Sequence, residues 1–142
     1  MQLSLKGWIS KVSQYISSSN APSYTLLWTN SSPTASFSPQ TLTLSLSGYD
    51  DVEITFKNYT SANQMVPPIK IPVGMRGMIS GVFGGSGSGD AQSGAIYAFE
   101  RVFIVSSTSI QFYNGYGCAA SGSHAVRNDM GIPIKIFGIK YR

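Results

Sequence analysis

The sequence predicts an all-β protein: an antiparallel β-sandwich or jelly roll of seven to eight strands, with a short N-terminal α-helix. Three observations carry this. Residues 40–57 alternate apolar and polar side chains, Leu42, Leu44 and Leu46 first, then Val52, Ile54 and Phe56 after Gly48-Tyr49-Asp50-Asp51. Side chains of a strand point to opposite faces at every second residue, so each half buries one face. Turn residues then recur at short intervals to the C-terminus with no helices between. Finally, charged residues make up only 11% against 42% hydrophobic, a composition that leaves the exterior to Ser, Thr, Asn, Gln and Gly.

Taken in order, residues 1–19 carry Leu5, Ile9, Val12 and Ile16 at spacings of four, three and four, one stripe of a helix. The polar run 17–22, closing on Pro22, ends it. Two units are therefore expected: residues 1–20 as helix and linker, serving oligomerisation, and residues 21–142 as the sandwich. The stripe fits d, a, d, a of a heptad, which leaves dimer, trimer and tetramer open. A helix this short must pack on something, either its copies or its own sheet.

Strands are expected at 24–29, across 40–57 as a hairpin, at 69–73 up against Pro72, and at 75–83. Residues 30–39 and 59–68 read as loops. Residues 84–94 form a glycine-serine loop by composition. The run 95–105 fits helix or strand by period, and Val102, Phe103, Ile104 and Val105 favour a strand. A turn at 106–109 returns the chain through a strand at 110–113. Asn114-Gly115 reads as a hairpin turn, residues 117–128 as a loop, and 132–141 as the closing strand. The expected core is Trp28, Leu42, Leu44, Leu46, Val52, Ile54, Phe56, Phe103, Ile134 and Ile136.

Net charge is +4, but the ten basic residues are scattered. Nucleic-acid binding needs clustered basic side chains, so it is not expected. The single cysteine, Cys118, excludes an intrachain disulfide and a cysteine-based zinc site. Residues 1–20 show no secretory signal, and no apolar run is long enough to insert in a membrane.

Enzymatic patterns fail in turn. The glycine loop lacks the lysine of a phosphate-binding loop. Cys118, His124 and Asp129 fall in one small-residue loop, whereas a nucleophile and its base need a rigid scaffold. Asp50, Asp51 and Glu53 lack the calcium-loop pattern and suit a solvated turn. No catalytic residue, metal or cofactor is expected. Tyr113, Asn114, Tyr116 and His124 remain as candidate ligand-binding residues: tyrosines beside Asn, Ser and His make an adaptable contact surface, and a sugar ring stacks on an aromatic face.

Several segments resemble small virion proteins of tailed bacteriophages: Lys6-Gly7-Trp8-Ile9-Ser10-Lys11, Tyr24-Thr25-Leu26-Leu27-Trp28-Thr29-Asn30, Leu46-Ser47-Gly48-Tyr49-Asp50 and the C-terminal IPIKIFGIKYR. The resemblance covers about half of the chain and carries no site residue. It implies an all-β component of a tail, baseplate or fibre in the phage particle. The implied assembly is a homotrimer in contact with other virion proteins. The expected role is host attachment without catalysis, with a cell-surface glycan as a ligand. The alternatives are a capsid decoration or head-fibre protein, and a bacterial lectin-like carbohydrate-binding module.

Overall fold

The computed structural model describes residues 4–60, 64–84, 96–119 and 123–142. Of the expected loop 84–94, all but Gly84 lies outside these residues, as does the side chain of Ile16.

Helix α1 (Leu5–Asn20) starts where the Ser4 hydroxyl accepts a hydrogen bond from the Gly7 N–H at 3.2 Å, which satisfies one free donor of the first turn. Among the described residues nine strands follow: β1 (Ser23–Thr29), β2 (Gln40–Thr43), β3 (Asp51–Tyr59), β4 (Met65–Pro72), β5 (Arg76–Gly84), β6 (Ile96–Val105), β7 (Ser109–Ala119), β8 (Ala125–Val126) and β9 (Met130–Lys140). They form two antiparallel sheets. One runs β1-β9-β3-β4; the other runs β2-β7-β6-β5, with β8 added to β7. The sandwich of the sequence reading is present, with β8 as a two-residue addition.

The expected hairpin at 40–57 is not one. β2 pairs with β7, whereas β3 lies between β4 and β9 in the other sheet. Residues 44–50 carry the chain across, with the Leu44 and Leu46 N–H groups bonded to Thr108 and Ser107. Alternation says which face is buried, not which strand lies alongside. Here β2 and β3 face one core from opposite sheets, so their patterns look the same as those of a pair.

That core runs through Leu46, Val52, Ile54, Phe56, Phe103, Ile110, Phe112, Ile132 and Ile136, all buried. Edge-to-face and tilted rings connect Trp28, Phe37, Phe112, Phe103 and Phe56 at 5.3–6.1 Å, tying the sheets together. Of the expected core, Trp28, Leu42, Leu44 and Ile134 are only half-buried against it. The first three come from β1, β2 and the segment after β2, at the sheet edges, where no neighbouring strand covers them.

Two further expectations change. The expected loop at 59–68 gives way to β4 at Met65, and its prolines are tolerated because β4 is an edge strand. Pro72 ends the strand as its position suggested, and Gly74 turns the chain into β5 at φ 95°, a conformation that favours glycine. Lys57, on the expected wet face, is buried, and its ammonium donates to the Thr60 carbonyl at 3.0 Å; the register shift nearby puts its extra residue, Ile134, on β9 and leaves β3 regular.

The largest departure concerns Asn114-Gly115, which lies inside β7 rather than at a turn. β7 continues to Ala119, and β8 pairs back on Tyr116 and Gly117, so the expected loop 117–128 is partly strand. A Cβ on Gly115 would lie 2.5 Å from the Arg127 carbonyl and 2.8 Å from the Arg101 guanidinium. Glycine stands there for close approach, not for a turn.

Candidate functional site

The outer face of the five-stranded sheet is set by register. Arg76, Met78, Ser80 and Val82 of β5 lie opposite Ile104, Val102, Glu100 and Ala98 of β6, and Glu100 in turn lies opposite Tyr116 of β7. Near Val102 the β6–β7 ladder shifts register between Arg101 and Phe103. A bulge of this kind re-aims side chains. Here it places Tyr113 and Asn114 beside Tyr116 along one rim.

Arg101 fixes that irregularity from below. It is fully buried, yet among the described residues its guanidinium meets no carboxylate; it donates instead to backbone carbonyls. Nε donates to Gly131 at 2.8 Å, Nη1 to Tyr113 at 2.7 Å, and Nη2 to Met130 at 3.1 Å and more loosely to Asn128 at 3.4 Å. The charge also lies 5.5 Å from the centre of the Phe37 ring. Burial pushes its pKa down to about 10, so it stays protonated at neutral pH. The planar fork of an arginine is what lets one side chain hold β7 and the start of β9 together.

The segment between β8 and β9 completes the support. The Gly115 N–H donates to the Asn128 Oδ1 at 2.8 Å, and Asn128 Nδ2 donates to Asn114 Oδ1 at 3.1 Å. Arg127 donates two bonds of 2.9 Å to Asp129, which holds that carboxyl below its usual range.

Two depressions result. One, of about 210 Å³, is lined by Arg76, Glu100, Val102, Tyr113, Asn114 and Tyr116. The other, of about 110 Å³, is bounded by Glu100, Tyr116, Cys118 and His124 among others. They share Glu100 and Tyr116. The His124 ring stacks on Tyr116 with centroids 4.9 Å apart and planes 9° from parallel, and its Nε2 lies 3.6 Å from Glu100.

Of the four residues expected from sequence, the structure places Tyr113, Asn114 and Tyr116 on the larger depression and His124 on the smaller one, against Tyr116. It adds Arg76, Glu100 and Val102, which sequence reasoning missed because only strand register places them there. The grouping of Cys118, His124 and Asp129 comes apart: the first two share the smaller depression, while Asp129 is bonded to Arg127. Asp50 bonds to Lys140 and to the Tyr141 N–H, and Asp51 to the Tyr141 hydroxyl.

No protein-family model matches the chain, and no curated protein matches it. Among the described residues no cluster of His, Cys, Asp and Glu is placed to hold a metal ion.

The helix offers a second surface. Leu5, Trp8 and Ile9 are 77%, 61% and 57% exposed, Val12 is exposed beside them, and among the described residues no strand packs extensively along α1. Of the four expected oligomerisation residues, Leu5, Ile9 and Val12 therefore present an uncovered stripe.

Proposed function

We propose that this protein is a non-catalytic virion component of a tailed bacteriophage, a receptor-binding or fibre-tip-like domain that attaches to a host-surface glycan. The binding surface is the outer face of β5, β6 and β7. One observation carries the reading: Tyr113, Asn114 and Tyr116 of β7 meet Glu100 and Val102 of β6 and Arg76 of β5 around one depression of the sheet. Rings held this way offer large contact area at little cost in conformational entropy, and the amide, imidazole and carboxylate around them suit hydroxyl groups. The phage assignment rests on the sequence resemblance.

The assembly we propose is a homotrimer, with α1 meeting its copies in a bundle. The exposed stripe supports the bundle over folding back on the sheet. Trimer over dimer again rests on the resemblance. Three copies would present three shallow sites, and linked weak sites bind far more tightly than one.

The test is adsorption to bacterial cells by the intact protein and by the double variant Tyr113→Ala/Tyr116→Ala. The variant should keep its melting profile and lose most adsorption. A folded variant that adsorbs as the parent does refutes this surface.

A further inference from the structure

We propose that the larger depression binds a sugar ring carrying a carboxylate, with Arg76 as its anion-binding residue. This rests on the receptor-binding reading above and names the ligand class.

Arg76 is the first residue of β5 and is exposed at one end of the depression. Arg101 and Arg127 are engaged with carbonyls and with Asp129. Arg76, by contrast, has no hydrogen-bond or ion-pair partner among the described residues. An unengaged guanidinium at the rim of an aromatic-lined hollow presents a planar fork, the geometry that matches a carboxylate with two parallel bonds.

The rest of the lining matches the remainder of an acidic sugar. Val102 forms an apolar part of the lining, and Tyr113 and Tyr116 offer ring faces for the C–H face of a pyranose. The Asn114 amide oxygen already accepts from Asn128, which leaves its NH2 to donate to a ring hydroxyl. An ionised Glu100 offers only acceptors, which suit hydroxyls, and would repel a second anion.

Polarity sets the orientation. Arg76 lies opposite Ile104, four residues along β6 from Glu100. Their backbone positions are therefore about 13 Å apart along the sheet at ordinary strand rise, and both side chains line the hollow between them. A ligand fits with its carboxylate toward Arg76 and its hydroxyls toward Glu100. At about 210 Å³ the hollow is smaller than a pocket for a drug-sized molecule, and suits one ring. The net charge of +4 favours approach to an acidic polysaccharide.

The experiment is a calorimetric or NMR titration of the full chain with a panel of probes. The panel holds hexuronate and N-acetylneuraminate saccharides, their carboxyl-reduced counterparts, and sugar sulfates. At least one carboxylated sugar should bind, and its reduced counterpart roughly 10- to 100-fold more weakly, the range expected for a charge-assisted pair. Arg76→Gln should erase that difference, and Arg76→Lys should keep part of it, since an ammonium attracts the anion without the fork. Arg76 is exposed, so both variants should melt as the parent does.

Equal binding of acidic and neutral sugars, unchanged by Arg76→Gln, overturns this inference and leaves the receptor-binding reading standing. A preference for sulfates over carboxylates overturns it too, as does silence across the panel from a protein that still adsorbs to cells. If Tyr113→Ala/Tyr116→Ala adsorbs normally, the receptor reading itself fails.

Discussion

Replacing Arg101 by methionine tests whether this side chain organises the site. Methionine keeps much of the volume and removes the charge. The change deletes three bonds of 3.1 Å or shorter, to the carbonyls of Gly131, Tyr113 and Met130. Hydrogen bonds to a charged group contribute about 1.5–3 kcal/mol each, so the gross loss is roughly 4.5–9 kcal/mol. Against this, the buried guanidinium no longer has to be stripped of water. That penalty is several kcal/mol, and it is the cause of the lowered pKa. The net destabilisation should be about 3–5 kcal/mol, because the carbonyls are left without donors. For a domain of this size it corresponds to a fall in Tm of roughly 6–20 °C. Urea melts followed by tryptophan fluorescence and by circular dichroism measure it. Arg101→Lys should fall between the parent and Arg101→Met, because an ammonium cannot reach all three carbonyls at once. An Arg101→Met variant within about 1 kcal/mol of the parent would refute the reasoning: water would then satisfy these carbonyls as well as arginine does.

Three other outcomes follow from the packing and the charges. Leu46→Ala, at a side chain with no exposed surface, should cost about 2–5 kcal/mol in denaturant melts, whereas Leu44→Ala, half-buried beside a sheet edge, should cost distinctly less. Equal costs would mean that the edge near Leu44 is covered in solution. The Asp129 carboxyl is held below its usual pKa, chiefly by the Arg127 hydrogen bonds. Its unfolded form thus binds a proton first as pH falls. Its contribution is complete above the unfolded value near 3.8 and is lost as pH drops through the lower folded value. Melts of the parent and of Asp129→Asn between pH 6 and 3 should converge at the acid end; a gap that stays constant contradicts this. Finally, light scattering should find a trimer for the intact chain and a monomer for a chain starting at Ala21. A monomeric intact chain at micromolar concentration rules out the bundle, and a trimer that survives truncation moves the interface to the sandwich.

Much of the fold was legible along the chain. Alternation at Leu42–Leu46 and Val52–Phe56 assigned inward faces correctly wherever the backbone ran regularly, because strand period is a local property of the peptide. The same local logic located α1 from its stripe and the turn at Ser106–Ser109, where the Ser106 hydroxyl accepts from the Thr108 and Ser109 N–H groups.

The sandwich as a class was legible too; what failed was the assignment of individual strand neighbours and turns, which depends on partners distant in sequence. The Gly48–Asp51 run looks like a hairpin turn, yet it joins strands of different sheets. Asn114-Gly115 carries the usual turn residues, yet the glycine is demanded by Arg101 and the Arg127 carbonyl, which approach from other parts of the chain. Tyr113, Asn114, Tyr116 and His124 could be named as candidates because tyrosine, asparagine and histidine stand close together between 113 and 124. Arg76 and Glu100 could not, since only the β5–β6–β7 register brings them to the same hollow. Sequence by itself determined which side chains turn inward, through preferences of two to four residues. The tertiary structure decided which strands are neighbours, which edges stay open and which groups meet, because those depend on the pairing of whole strands, a long-range term that no local pattern encodes.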